Sequence, residues 1–510
     1  MKKNTPKKWT LIFLLSAKNN LYMEQLKVIN EIYGVGSSKD VNLVIILDGL
    51  GGDKFSESLE RPAIFFPQKN TDFLTDTHFD ILRSHKATLT NKADLKNILN
   101  KVVENFPASH YGFFYKGHGG PAETDLARGI FVTRTAYIDP KWSDSKLEKE
   151  YGNKQKGWFF EGYCEYPAVK RNSINKKPIL LIYSKRNNKT LTYYGLSTVL
   201  RSVFKGRLDF LCMDCCWAQQ IENAYSFANV TRYYVASADE MPALGLGYTI
   251  LCNHFIKRPA LRADEAANLI VSTYYNVNYS DYDSEQAEFR KMGVSVTSLD
   301  LNAYDTFLTD FTELCEMLTK QLNKKDDYTY YLINNARSKC LDYTYQNTDK
   351  LSASKIEYPM FNIDLIWLLE NLLYYNLDDK REELILRIVY KLQGRLTTSF
   401  MSSNYKKPAM GNAAIGGNGI AICFPKNKGF ADLSILKRTE MRFYQKSGWK
   451  KLLTTYYDYK PKISMKECLK NAGMNGFGFE VDNKKRVPRN KKRLVLKQFK
   501  KTKKNKRPKR

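Results

Sequence analysis

The chain holds five histidines, and one of them, His118, sits in a glycine run, Gly117-His118-Gly119-Gly120. It also holds nine cysteines, three of which crowd together as Cys212, Cys215 and Cys216. An imidazole and a thiol are the two groups needed to open an acyl bond. The first takes the proton, the second attacks the carbonyl, and nearby N–H groups hold the oxyanion. Glycine beside the histidine lets the backbone approach a substrate closely, and the Gly119 N–H could face an oxyanion. Asp214 stands just before the cysteine pair. A carboxylate there raises thiol pKa values, so it does not activate them; it suits pairing with a cationic substrate side chain. Residue types and spacing alone leave competitors standing. A turn histidine fits at least as well, a buried structural cysteine fits better, and nothing at this level separates Cys216 from Cys215 or Cys212.

The elements that must position these groups come next. WTLIFLL (9–15) and VNLVIILDG (41–49) are continuous aliphatic and β-branched runs, as in strands buried on both faces of a parallel sheet. Residues 22–33 have helical spacing between them, and 91–105 have it again before HYGFFYKGHGG (110–120), a third strand that ends in the histidine turn. RLDFLCMDCC (207–216) and TRYYVASADE (231–240) read as a fourth and fifth strand, and PILLIYSK (178–185) as a β-hairpin or edge piece. This alternation predicts an α/β doubly wound, mostly parallel sheet flanked by helices. Ligands in such sheets bind beyond the carboxyl ends of the strands, where His118 and Cys216 both fall.

Beyond about residue 260 the pattern turns helical: Tyr304, Phe307, Leu308, Phe311, Leu314, Cys315 and Leu318 share one helix face. Residues 361–375 make a second apolar helix, and GIAICFP (419–425) a late strand. The expected organisation is a catalytic core over 1–260 carrying a charged insertion at about 121–177, a mainly helical region over 261–460, and a linker with a basic tail over 461–510. An odd cysteine number, with one CxxC spacing and no second pair, argues against a disulfide framework and structural zinc. Buried thiols in a reducing compartment follow. The apolar run 9–17 after a basic start resembles a short signal peptide, but no small-residue cleavage site follows it. We read it as a buried strand, and the protein as cytoplasmic without a transmembrane segment.

The net charge of +28 suggests a nucleic-acid partner until it is divided, because residues 484–510 hold 16 of the Lys and Arg and no acid. The folded body is therefore only moderately basic. The tail is too poor in apolar residues to fold alone; it could hold nucleic acid or an anionic surface by counterion release, be a propeptide rich in bonds after Lys and Arg, or simply solubilise the chain.

Several of these segments together resemble the clostripain-like cysteine peptidases. Trp9-Thr10-Leu11-Ile12 with Asn19-Asn20-Leu21 is similar to their first strand, 42–48 to their second, Gly117-His118-Gly119 to the histidine turn, and Leu208-Asp209 through Asp214-Cys215-Cys216 to the cysteine strand. The order continues through Glu222, Ser237, Pro242, Gly245 and Tyr248, and the resemblance spans roughly residues 9–440. It implies a caspase-like fold, a His118–Cys216 dyad, oxyanion donors at the Gly119 and Cys216 N–H groups, and Asp214 as the substrate-binding carboxylate. Protein or peptide substrates cut after Arg or Lys are implied as well. So is self-activation, for which Arg128 and Arg134 in the insertion are candidate bonds. No cofactor is required for the chemistry, no metal ligands are expected, and calcium enters by resemblance only. Three departures stand out: Leu244 where many relatives have an acid, Cys215 in place of alanine, and Lys116-Gly117 before the histidine. Leu244 and the tail leave room for an alternative, a catalytically silent or regulatory caspase-like protein that binds nucleic acid or anionic surfaces through its basic tail.

Overall fold

The computed structural model describes residues 5–17, 21–48, 62–69, 71, 78–79, 89–119, 191–204, 208–239, 241, 245–280, 295–343, 362–374, 379–396, 401–404, 417–428, 431 and 441–471. The two longest apolar runs of the sequence become neighbouring parallel strands, β1 (Lys7–Leu15) and β2 (Val41–Leu47), with Trp9 opposite Val41 and Leu15 opposite Leu47. The connection between them is helix α1 (Tyr22–Val35). Two short strands, β3 (Ala63–Phe65) and β4 (His78–Phe79), add antiparallel to β2. Helix α2 (Lys92–Asn105) starts where the Asn91 side chain accepts the N–H groups of Ala93 and Asp94. It leads into β5 (Ala108–Lys116), which pairs parallel to the other side of β1.

Next come α3 (Tyr193–Val203), β6 (Leu208–Asp214), α4 (Ile221–Phe227) and β7 (Thr231–Ser237). After β7 lie α5 (Tyr248–Lys257), α6 (Ala263–Ser280) and β8 (Val296–Asp300). Among the described residues one sheet takes the order β10-β8-β7-β6-β5-β1-β2-β3-β4, where β10 is Met401–Asn404. Its five central strands, β7-β6-β5-β1-β2, are parallel, and the added strands on each side are antiparallel. The chain runs outward from β1 in both directions, so the topological switch lies between β1 and β5, where α/β sheets place their ligands.

Period-two alternation sends the side chains to two covered faces. Trp9, Leu11, Phe13, Leu43, Ile45, Phe114, Phe210 and Cys212 join α1, α5 and α6 in one core cluster. The alternate residues, Ile12, Leu14, Val44, Phe113, Leu211 and Tyr234, are equally closed to solvent. On that face Phe227 of α4 stacks on Tyr234, and Tyr193 of α3 meets Phe227 edge-on. Burial of each large apolar side chain favours folding by about 1.5–3 kcal/mol, which is why these strands read as unbroken apolar runs.

The later half is helical, as its pattern predicts: α7 (Tyr304–Asn323), α8 (Asp327–Ser338), α9 (Leu365–Tyr374), α10 (Asp379–Arg395), α11 (Arg442–Lys446) and α12 (Trp449–Asp458). It also supplies a small antiparallel pair, β9 (Asn362–Asp364) with β11 (Ala421–Cys423). Met1–Lys462 forms one compact unit, and the main sheet draws β8 and β10 from beyond residue 260. In the second unit, Ile463–Arg510, the described structure includes the short helix α13 (Met465–Asn471). The insertion with Arg128 and Arg134, the edge piece 178–185 and the tail 484–510 lie outside the described residues.

Candidate active site

The histidine turn begins where β5 leaves the sheet. The Ser16 N–H donates to the Lys116 carbonyl at 2.9 Å, and the Gln25 amide donates to both that carbonyl (3.3 Å) and the Ser16 carbonyl (3.2 Å). The ends of β1 and β5 are thereby fixed to each other. Asp48, at the end of β2, accepts the Ala17 N–H at 2.7 Å and the Ser16 hydroxyl at 3.2 Å. The turn then folds back on its own strand, for the Tyr115 hydroxyl donates to the His118 carbonyl at 2.9 Å. His118 is half-buried at this edge. His110, by contrast, lies near the start of β5, with Nδ1 3.0 Å from Asp209 Oδ1 and its ring stacked on Trp9.

The cysteine turn follows β6. Trp217 takes the left-handed conformation (φ 51°), its N–H donates to the Asp239 carbonyl at 3.0 Å, and its indole N–H donates to the Tyr343 carbonyl at 3.3 Å. The two turns touch through Gly119. A Cβ there would sit 2.6 Å from Cys215 Sγ and 2.6 Å from the Cys216 carbonyl oxygen. Only a glycine permits this approach between the backbones that carry His118 and Cys216.

The three clustered thiols are unlike one another. Cys212 and Cys215 are buried, whereas Cys216 is half-exposed. Burial, reinforced by the Asp214 carboxylate, pushes the Cys212 and Cys215 thiols well above the ordinary range. Neither will be a thiolate near neutral pH. Cys216 Sγ instead accepts the Met241 N–H at 3.3 Å, a contact that sequence reasoning missed because a backbone donor leaves no trace in residue type.

Asp214 is closed to solvent and already paired. Its Oδ2 accepts Lys116 Nζ at 3.1 Å and the Tyr248 hydroxyl at 2.7 Å, while Oδ1, also buried, has no hydrogen-bond partner among the described residues. Lys116 and Asp214 are direct partners on adjacent parallel strands, so their side chains leave the same face of the sheet. The lysine was legible only as a departure from a family pattern. A charged residue closing the apolar run of β5, level with a carboxylate closing β6, was the available signal. Gly245 (φ +74°) lies over the pair, and a Cβ there would come within 2.5 Å of both Nζ and Oδ2. Glu222, another residue of the sequence pattern, is buried behind the turn and accepts the Cys423 N–H at 3.0 Å. Gly120, Glu240, Pro242 and Leu244 lie outside the described residues. Among the described residues no cluster of three His, Cys, Asp or Glu is placed to hold a metal ion, and no helix is long and apolar enough to cross a membrane.

A half-exposed thiol and a half-buried imidazole thus sit on abutting turns at the carboxyl edge of this sheet. A model of the clostripain family matches residues 169–453. The chain belongs to the clostripain family. It is by that membership a cysteine peptidase, with a caspase-like α/β fold. No curated protein matches it by sequence. Among solved structures it is similar to a secreted C11 cysteine protease from Bacteroides thetaiotaomicron, at 16% identity and TM-score 0.52 over 87% of this chain and 100% of that one. It is also similar to an inactive zymogen C11 protease from Parabacteroides distasonis, at 14% identity and TM-score 0.51 over 87% and 99%. At these identities the two structures bear on the fold alone.

Proposed function

We propose that this clostripain-family member is an endopeptidase working through a His118–Cys216 dyad. His118 takes the Cys216 proton, and the thiolate attacks the scissile carbonyl carbon. The Gly119 and Cys216 N–H groups hold the resulting oxyanion. As the tetrahedral intermediate collapses, the C–N bond breaks and His118 returns the proton to the leaving amine, giving a thioester. Water, deprotonated by His118, then attacks the thioester; the acid leaves and Cys216 Sγ recovers its proton. The observation that carries this reading is the selection of one thiol: of three clustered cysteines, Cys216 alone is accessible, and the backbone beside it meets the histidine turn at Gly119.

The substrate would be a protein or peptide whose Arg or Lys side chain, before the scissile bond, is directed to Asp214. Cleavage within 121–177, with Arg128 and Arg134 as candidate bonds, would be self-activating. One of its structural neighbours is an inactive zymogen. The chemistry needs no cofactor, and calcium remains an expectation from family resemblance that a chelator tests directly. The basic tail would add salt-sensitive binding to nucleic acid or another polyanion, and cysteines that form no disulfide among the described residues suit a reducing, cytoplasmic setting.

The test is a fluorogenic peptide panel run on wild type and Cys216→Ala, before and after limited cleavage. Turnover and self-fragmentation in wild type, both absent in Cys216→Ala, are expected. Fragmentation of Cys216→Ala at the wild-type rate would remove self-activation. Absence of turnover in every form would remove the endopeptidase.

A further inference from the structure

Lys116, the buried partner of Asp214, has no role in the steps above. We propose that Lys116 is a built-in counter-ion to Asp214 that weakens recognition of a cationic substrate side chain and favours Lys over Arg before the scissile bond. This rests on the reading of Asp214 as the substrate-facing carboxylate of the proposed peptidase.

Three observations carry it. Lys116 is not a mobile plug, because it is the last residue of a core strand and the direct register partner of Asp214, and its side chain is 4% exposed. The carboxylate is also divided: Oδ2 already accepts both Lys116 Nζ and the Tyr248 hydroxyl. What remains is Oδ1, buried and without a hydrogen-bond partner among the described residues. A buried acceptor left without a donor is unfavourable, so this atom is where an incoming donor gains most.

One oxygen cannot serve every cation. A guanidinium binds a carboxylate best as a fork against both oxygens. An ammonium is a compact charge that needs only one. Lys116 also lowers the attraction felt by either. A substrate cation touching Oδ1 at about 3 Å has the Lys116 ammonium at about twice that distance, and since Coulomb energy falls as inverse distance, roughly half the attraction is cancelled. Cationic selectivity therefore survives in weakened form, and arginine loses the second hydrogen bond as well. Gly245 keeps the arrangement closed over Oδ2, since any side chain there would force both charged groups to shift.

The experiment measures kcat and KM for three peptides that differ only before the scissile bond: Lys, Arg, and citrulline as the uncharged counterpart of arginine. Wild type is expected to prefer Lys over Arg by several-fold, with citrulline lowest. Lys116→Met frees Oδ2 and removes the opposing charge, so its Arg:Lys ratio should rise on the order of tenfold, chiefly through a lower KM for Arg. The ratio is the readout because general damage to the fold or to Cys216 scales all three peptides together. Wild type cleaving Arg as well as or better than Lys would overturn the proposal. So would citrulline matching Arg and Lys, or a Lys116→Met ratio equal to wild type. The wild-type measurements decide the matter alone should Lys116→Met fail to fold. No turnover of any of the three, with Cys216 also unlabelled by a peptidyl acyloxymethyl ketone, would instead overturn the peptidase reading beneath it.

Discussion

Replacing Gly119 by alanine probes whether the contact between the two turns matters for catalysis. The new Cβ would lie 2.6 Å from Cys215 Sγ, 2.6 Å from the Cys216 carbonyl oxygen and 2.8 Å from Cys215 Cβ. Two of these neighbours belong to a buried residue and one is backbone, so none can swing aside as a flexible side chain would. Ordinary contact between such atoms begins near 3.5 Å, so the histidine turn must retreat by roughly 0.9 Å. A displacement of about 1 Å in a reacting group costs on the order of 100-fold in rate. Overpacking of the same site should destabilise the fold by about 1–3 kcal/mol. The assay is kcat/KM on the best peptide of the panel, with thermal unfolding measured in parallel. Gly34→Ala is the control. Gly34 lies exposed in α1 with nothing within 4 Å of a built Cβ, so alanine there should stabilise by roughly 0.5–1 kcal/mol and leave kcat/KM unchanged. A Gly119→Ala protein with wild-type kcat/KM would refute the claim that this contact sets the alignment of His118 and Cys216.

Iodoacetamide at pH 8 should alkylate Cys216 in the native protein and leave Cys212 and Cys215 untouched until denaturant is added. Burial keeps those two thiols protonated and out of reach; mass spectrometry of the labelled peptides checks it. Tyr115→Phe removes the hydroxyl that holds the His118 carbonyl. About 1 kcal/mol of positioning, roughly fivefold in kcat/KM, should be lost with little change in unfolding temperature. Asp364 accepts the Tyr343 hydroxyl, the Trp367 N–H, the Asn418 N–H and the Asn418 amide. Asp364→Ala leaves these donors buried and should cost about 3 kcal/mol or more by denaturant unfolding. Burial also raises the Asp364 pKa in the fold. The native state then holds this proton more tightly than the unfolded chain, so its contribution to stability falls as pH rises from the ordinary carboxylate range through the raised value. In Asp364→Asn that part of the pH dependence should be absent.

The central sheet was legible because its strands are buried on both faces, and such strands write themselves as unbroken apolar runs, as in 9–15 and 41–47. Helices α1 and α2 were legible by their spacing. The late strand 419–425 shrinks to Ala421–Cys423, and the predicted helix over 361–375 opens as strand β9 before turning helical at Leu365. The three residues Asn362, Ile363 and Asp364 pair with β11, and tertiary pairing of that kind overrides local periodicity. Strands β8 and β10 went unread because VTSLD and MSSN are short and only weakly apolar. At the candidate site, His118 and Cys216 were legible as residue types in turns, and Asp214 as a carboxylate closing an apolar run. Which thiol is accessible was not, because exposure of one cysteine among three is set by tertiary packing, with Gly119 and Met241 from the segments after β5 and β7 meeting the cysteine turn. Nor was the pairing of Lys116 with Asp214, since the two are 98 positions apart and meet only through the β5–β6 register.

Trp217 shows why the later half of the chain belongs to the same working unit as the His118 and Cys216 turns. A left-handed conformation at a large non-glycine residue costs roughly 1–2 kcal/mol, and it falls directly after Cys216. What holds it is partly distant in sequence. The indole N–H is fixed by the Tyr343 carbonyl, the Tyr343 hydroxyl is fixed by Asp364 and itself accepts the Gly419 N–H, and the Ala421 N–H donates to the Gln219 carbonyl. The strained turn is therefore over-determined from behind by β9, β11 and the segment before them, all beyond residue 340. A core ending near residue 260 would keep the strands that carry His118 and Cys216 but lose the clamp on the residue that follows the thiol. The apolar late strand is in this sense part of the support for the site.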